Sequence, residues 1–302
     1  MPHAPTSGRR PAPMLLALLA ILLWSTLAAL TTRLDGLPPF LLAGTSLLIG
    51  SLAGVPRWRR WRAPLPMLAL GVYGLFAYHA ALFMALRLAP PIEANLLNYL
   101  WPLLIVVLTP AFLRERRLTA RQIAAALLGF AGAALLVTGG RVAFDRAHAA
   151  GYALAIAAAV IWSTYSLASA RRRDAQAPPV SFFSAVSGLL ALLCHALFEP
   201  RAVFVAADVP WLLLLGLGPM GAAFLAWDAA LRRGDPRTIG LLSYLTPVLS
   251  TLLLALAGGG RLSGVSLAAM VLVVGGALLG TWPAGVRTAR ASATPSRGSI
   301  GP

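Results

Sequence analysis

ANLLNYLWPLLIVVLTP, residues Ala94 to Pro110, is apolar enough to lie in a membrane, yet its middle carries Asn98, Tyr99, Trp101 and Pro102. GLLSYLTPVLSTLLLAL, residues Gly240 to Leu256, repeats the arrangement 145 positions later with Ser243, Tyr244 and Pro247. Proline has no N–H to bond the carbonyl four residues back, and its ring clashes there. Pro102 therefore frees the Asn98 carbonyl and Pro247 frees that of Ser243. In lipid such a carbonyl needs a partner or a wet cavity. On a helix, Asn95, Asn98, Tyr99 and Pro102 fall within an arc of roughly 100°, with Trp101 at its edge. Gly240, Ser243, Tyr244 and Pro247 make the matching stripe. The expectation is two bent helices whose polar stripes face one central cavity. Ordinary kinks, with Asn and Tyr bonded to neighbouring helices, are the plainer alternative.

The rest of the chain has the same character. Of its 302 residues 59% are hydrophobic and 11% charged, whereas a soluble domain carries roughly a quarter charged residues. Ten apolar runs are long enough to cross the bilayer: 14–32, 37–55, 65–86, 92–113, 120–138, 150–170, 178–198, 209–231, 236–257 and 264–283. Spans of about 20 residues must be helices, because lipid leaves no partner for unpaired backbone groups. The alternating ten-residue segments of a β-barrel do not occur. The fold class is an all-α membrane protein.

All 25 basic residues are Arg, and the net charge is +16. With the N-terminus placed in the cytoplasm, only Arg33, Arg87, Arg141, Arg146, Arg201 and Arg261 fall outside, against 19 inside. That asymmetry follows the positive-inside rule and puts both termini in the cytoplasm. It also accounts for the charge without nucleic acid, since the arginines are spread over short loops. Segments 1–13 and 284–302 read as disordered cytoplasmic tails. The first apolar run resembles a secretory signal, but it lacks a convincing cleavage site. The single cysteine, Cys194, excludes a disulfide framework or a thiolate metal site within one chain. Motifs of hydrolases, metalloproteases and nucleotide-binding enzymes are absent, so neither an enzyme, a metal nor a cofactor is expected.

Matched pairs run through the chain. LLWST (22–26) pairs with VIWST (160–164), NYLWP (98–102) with SYLTP (243–247), RRLT (116–119) with GRLS (260–263), and AGAALL (131–136) with GGALLG (275–280). Pro38-Pro39 and Pro178-Pro179 open the second and seventh spans. The domains are thus a first five-helix repeat, 14–138, and a second, 150–283. Five is odd, so the second repeat is inverted, a construction found in secondary transporters that bind at the midplane.

In order and spacing these motifs resemble the EamA-type branch of the drug/metabolite transporter superfamily, nearest its bacterial aromatic amino-acid exporters. The resemblance covers about residues 14–283. It implies a ten-helix basket around a central cavity and export of amino acids or similar metabolites from the cytoplasm. One departure is the second half's Gly-Gly-Gly-Arg (258–261), where the first half carries Glu115 and an acid is typical of the family.

Candidate substrate-binding residues follow. Asn95, Asn98, Tyr99, Ser243 and Tyr244 supply donors and acceptors for a polar head. Trp24, Trp101, Trp162 and Tyr78 offer an aromatic wall, while Trp58, Trp61, Trp211 and Trp282 fit interface belts. His79 is an ionisable group inside a span, which is a functional hypothesis by default; a structural histidine bonded across helices is the alternative. Pro102 and Pro247 are candidate hinges. Glu93 reads as a helix N-terminal cap, and Asp228 as an ion pair with Arg232. No carboxylate falls at the midplane, which favours neutral or zwitterionic substrates and downhill release. The expected function is inner-membrane export of aromatic and other apolar amino acids by alternating access; a proton-coupled drug or metabolite antiporter is the alternative. Expected partners are the lipid bilayer and a small amino-acid substrate, with no nucleic acid and a monomeric chain.

Overall fold

The computed structural model describes residues 12–172, 180–256 and 263–281. Residues 1–11 of the first tail, the whole of the second tail, Pro178-Pro179, the 258–261 segment and Trp282 lie outside the described residues, while Pro13 already belongs to the first helix. All regular structure among the described residues is helical. Among the described residues, ten helices are long and apolar enough to cross a membrane. They are α1 (Pro13–Thr31), α2 (Pro39–Pro56), α3 (Leu65–Leu88), α4 (Pro91–Phe112), α5 (Ala120–Thr138), α6 (Arg146–Arg171), α7 (Val180–Phe198), α8 (Ala206–Arg233), α9 (Pro236–Leu256) and α10 (Gly264–Thr281).

Local sequence sets the ends. Prolines stand at the first turn of α1, α2, α3, α4 and α9, where a missing N–H costs nothing. Thr119 and Gln122 form a reciprocal capping box on α5. Gly139, at φ 60°, closes α5 in the left-handed conformation that glycine adopts without strain.

The packing has approximate twofold character. α2 packs on α7, α4 on α9 and α5 on α10, each pair joining equivalent members of the two repeats. α3 packs on α6 and α1 on α8, a pair of contacts that exchange with each other when the repeats are swapped. Small residues bring backbones together: a Cβ on Gly188 would lie 2.9 Å from the Gly44 carbonyl oxygen, and one on Gly132 only 2.7 Å from that of Ala269.

Several helices are broken, in corresponding places. α4 is interrupted at Tyr99, between Pro91–Asn98 and Leu100–Phe112. α9 is interrupted at Ser243–Tyr244, between Pro236–Leu242 and Leu245–Leu256. Each break lies in the turn that Pro102 or Pro247 deprives of a hydrogen bond. α3 and α8 each contain a π-helical turn, Tyr73–Ala77 and Gly218–Ala222, which the sequence reading did not anticipate.

Candidate functional site

The breaks surround a cavity of about 530 Å³ bounded by α1, α2, α3, α4, α6, α8 and α9. It reaches the connection between α1 and α2, where the exposed Asp35 marks its mouth. At the other end it stops on aromatic rings.

That floor is built from both repeats. Trp24 and Trp162, the two WST tryptophans, meet edge to face at 5.7 Å between ring centroids. Trp101 and Phe224 complete the surface, at 6.4 Å and 6.0 Å from Trp24. Trp227 lies beneath, 1% exposed, 5.1 Å from Trp24 and 5.5 Å from Trp101. Two indole N–H groups fix these rings. Trp24 Nε1 donates to the Pro219 carbonyl at 3.1 Å, inside the π-turn of α8. Trp227 Nε1 donates to Ser166 Oγ at 3.1 Å. Edge-to-face pairs at these separations add packing energy beyond area burial. Next to Trp227, Asp228 accepts from the Ser169 hydroxyl and from Arg232 Nε at 2.9 Å. This ties α6 to α8, and the ion pair expected between Asp228 and Arg232 has a third member.

The walls carry the polar groups. Tyr78, His79, Asn95, Asn98 and Tyr99 all line the cavity. Asn98 Nδ2 donates to the Tyr78 hydroxyl at 3.3 Å. His79 Nδ1–H donates to the Leu75 carbonyl at 2.5 Å, again inside a π-turn. That bond commits Nδ1 and leaves Nε2 as the ring's other polar atom. The Asn98 Oδ1, Thr246 Oγ1 and Ser46 Oγ atoms are buried without a hydrogen-bond partner among the described residues, and their three residues all line the cavity.

The expectation that Ser243 and Tyr244 share this cavity with Asn98 is corrected by the structure. Ser243 is fully buried and its hydroxyl donates to the Gly240 carbonyl at 2.6 Å. Tyr244 packs among Ala133, Val248 and Val273, in a seam of α9 with α5 and α10. The break between Leu242 and Leu245 re-aims α9, so Thr246 and Ser250 reach the cavity instead. The same arc holds on α4, where Asn95, Asn98 and Tyr99 line the cavity, so the difference lies in packing: the seam with α5 and α10 takes up Tyr244. Pro102 and Pro247 are both buried beside their breaks.

Two other features escaped the sequence reading. Thr246 is the repeat partner of Trp101, so the motif alignment alone held that signal. Glu199, just past α7, has a side chain with 0% exposure. It accepts the backbone N–H groups of Phe40 at 3.1 Å and Leu41 at 3.3 Å, the Arg87 guanidinium at 2.9 Å and His195 Nδ1 at 3.0 Å. His195 stands four residues before Glu199, a local spacing, but nothing in the local sequence brings Arg87 and the Phe40-Leu41 pair to it. Among the described residues, no group of three His, Cys, Asp or Glu could hold a metal ion.

The comparisons with known proteins agree with this architecture. The Aromatic amino acid exporter YddG of Ancylobacter novellus is 43% identical over 281 residues, covering 90% of this chain and 98% of its own. The protein of the same name from Escherichia coli is 26% identical, covering 88% and 95%. A Probable amino-acid metabolite efflux pump of Salmonella typhimurium is 28% identical, covering 92% and 97%. A solved crystal structure that is 44% identical superposes with a TM-score of 0.85, over 89% of this chain and 96% of that one. With ten apolar helices, the chain is a multi-pass inner-membrane protein. Its two halves, residues 12–138 and 149–282, each match the same domain, and the chain belongs to the EamA-like transporter family.

Proposed function

We propose that this protein exports aromatic and other apolar amino acids from the cytoplasm by alternating access, down their gradient. The observation that carries this reading is the aromatic floor of Trp24, Trp101, Trp162 and Phe224 at the closed end of a cavity whose walls bear a few polar groups. An apolar pocket with convergent polar groups is the usual form of a small-molecule site. An aromatic side chain stacks on the floor, and the amino-acid head lies toward Asn98, Tyr78 and His79. The name borne by the 43% identical relative supports the same substrate class. The breaks next to Pro102 and Pro247 supply bending points, one in each repeat. With both termini cytoplasmic, the mouth at Asp35 faces outward. The chain acts as a monomer, with no catalytic step.

The test is flux. Purified protein in liposomes is expected to carry labelled tryptophan and phenylalanine faster than protein-free vesicles. No flux of any amino acid above that background refutes the proposal. Because His79 lines the cavity, the same vesicles with an imposed pH gradient decide the energy source. Uphill accumulation that His79→Ala abolishes would replace the downhill reading with proton coupling.

A further inference from the structure

α2 does not stop at a sharp cap. Past Ser51 it tightens into a 3₁₀ segment, Leu52–Arg60, that carries the chain toward α3. GVPRWRRWRAPLP (54–66) holds four arginines, Arg57, Arg59, Arg60 and Arg62, and two tryptophans, with no acid. A positive bias for orientation does not require that purity. The other three inner connections between spans carry an acid among their arginines: Glu115, Asp174 and Asp235. Asp235 pairs with Arg237 and Arg116, whereas Arg59 and Arg62 have no ion pair among the described residues.

The connection forms one side of a groove. The Trp61 ring lies against α7, 6.0 Å from that of Phe182. Gly54 permits this approach, since a Cβ there would sit 2.3 Å from Ser181 Cβ and 3.0 Å from Trp61 Nε1. α7 packs on both the 3₁₀ segment and the start of α3. Between them lies a groove of about 470 Å³ lined by Trp61, Arg62, Ala63, Pro64, Leu68 and Phe182. Its side chains are apolar apart from the Arg62 guanidinium and the Trp61 N–H, and neither donates a hydrogen bond among the described residues. Leu68 and Phe182 stand in the first turns of α3 and α7, so the groove lies where spans end and lipid phosphates begin. Trp58 and Leu65 beside it in sequence are 63% and 76% exposed, an apolar flank suited to the bilayer interface.

We infer that this groove seats an anionic phospholipid of the cytoplasmic leaflet, its phosphate on Arg62 and an acyl chain along Trp61, Leu68 and Phe182. The inference takes its orientation from the export reading above and nothing from the substrate. A guanidinium offers paired donors that match two phosphate oxygens. A zwitterionic head brings its own cation, which a connection of four arginines without an acid disfavours. Basic pockets between spans on the cytoplasmic side suit anionic head groups, and each arginine adds roughly a fivefold preference, the equivalent of about 1 kcal/mol. A lipid seated there touches the entry to α3 and the start of α7, and so bridges the two repeats at the end opposite the cavity mouth.

The experiment titrates the full chain in detergent with phosphatidylglycerol, phosphatidylcholine of matched acyl chains, and inorganic phosphate. Native mass spectrometry counts retained lipid. The melting midpoint is the second readout, because a ligand of the folded state raises it. In the wild type phosphatidylglycerol is expected to bind at least fivefold more tightly than phosphatidylcholine, and inorganic phosphate to leave the midpoint unchanged. Arg62→Gln should weaken phosphatidylglycerol roughly fivefold. Arg141→Gln removes the same charge from an outer connection and should leave that affinity unchanged. Both arginines are exposed, so neither variant should melt lower without lipid. Phe182→Ala should weaken phosphatidylglycerol while keeping its lead over phosphatidylcholine. Equal affinity for the two lipids, a midpoint raised as far by inorganic phosphate as by phosphatidylglycerol, or equal losses in Arg62→Gln and Arg141→Gln overturns the site. Tryptophan flux in liposomes is read separately: its absence refutes the export reading and leaves the lipid site standing.

Discussion

Glu199 holds three helices together at the mouth end of the bundle, and its removal separates two explanations of why. Its carboxylate accepts two backbone N–H groups at the start of α2, the Arg87 guanidinium at the end of α3, and His195 on α7. Glu199→Leu keeps nearly the same volume and removes every acceptor. Phe40 and Leu41 are each 6% exposed, so water has little access to their orphaned N–H groups. At about 1–3 kcal/mol per unpaired group, the loss is about 2–6 kcal/mol. Arg87 has 39% of its side chain exposed and can turn to water. Arg87→Leu is therefore expected to cost about 1 kcal/mol or less, as exposed ion pairs do. The remaining Glu199 charge still sits at a helix N-terminus, where anions are favoured. Thermal unfolding in detergent checks the ordering. Glu199→Leu should lower the midpoint on the order of 10 °C, and Arg87→Leu by only a few degrees. Equal losses in the two variants would refute the reasoning, because the ion pair and not the helix cap would then carry the energy.

Three further outcomes are expected. Trp24→Ala removes the ring at the centre of the floor and its bond to Pro219, so tryptophan flux should fall at least tenfold while alanine flux falls less; paired flux assays check this. A Cβ on Gly50 would meet the Met220 carbonyl oxygen at 2.6 Å and Gly221 Cα at 2.8 Å, both backbone atoms in the π-turn of α8. Gly50→Ala should therefore cost about 1–3 kcal/mol in thermal or denaturant unfolding. Asp235 lies just before α9: burial alone would raise its carboxyl pKa, but hydrogen bonds and charge from Arg237, with the charge of Arg116, hold it below the ordinary carboxylate range. A depressed folded value stabilises above the unfolded pKa of about 3.9, and that contribution is lost as pH falls through the folded value. Melting midpoints should accordingly fall below about pH 4 in the wild type, and Asp235→Asn should flatten that dependence.

The sequence by itself determined the ten helices, the two-repeat plan and the break positions in α4 and α9. Each is local: apolar length fixes a span, and a proline removes one known hydrogen bond. The alignment of WST with WST also located Trp24 and Trp162, because repeat symmetry brings equivalent residues together near the axis. Only the tertiary structure decided which side of each broken helix faces the cavity. The break at Ser243–Tyr244 turns the following helix, so Thr246 and Ser250 arrive at the wall while Tyr244 packs against α5 and α10. The equivalent stripe on α4 keeps Asn95, Asn98 and Tyr99 on the cavity, so helical periodicity alone does not tell the two broken helices apart. Glu199 was hidden for another reason. Its donors come from residues 40, 41, 87 and 195, and a carboxylate past the end of a span looks solvated until three helices converge on it.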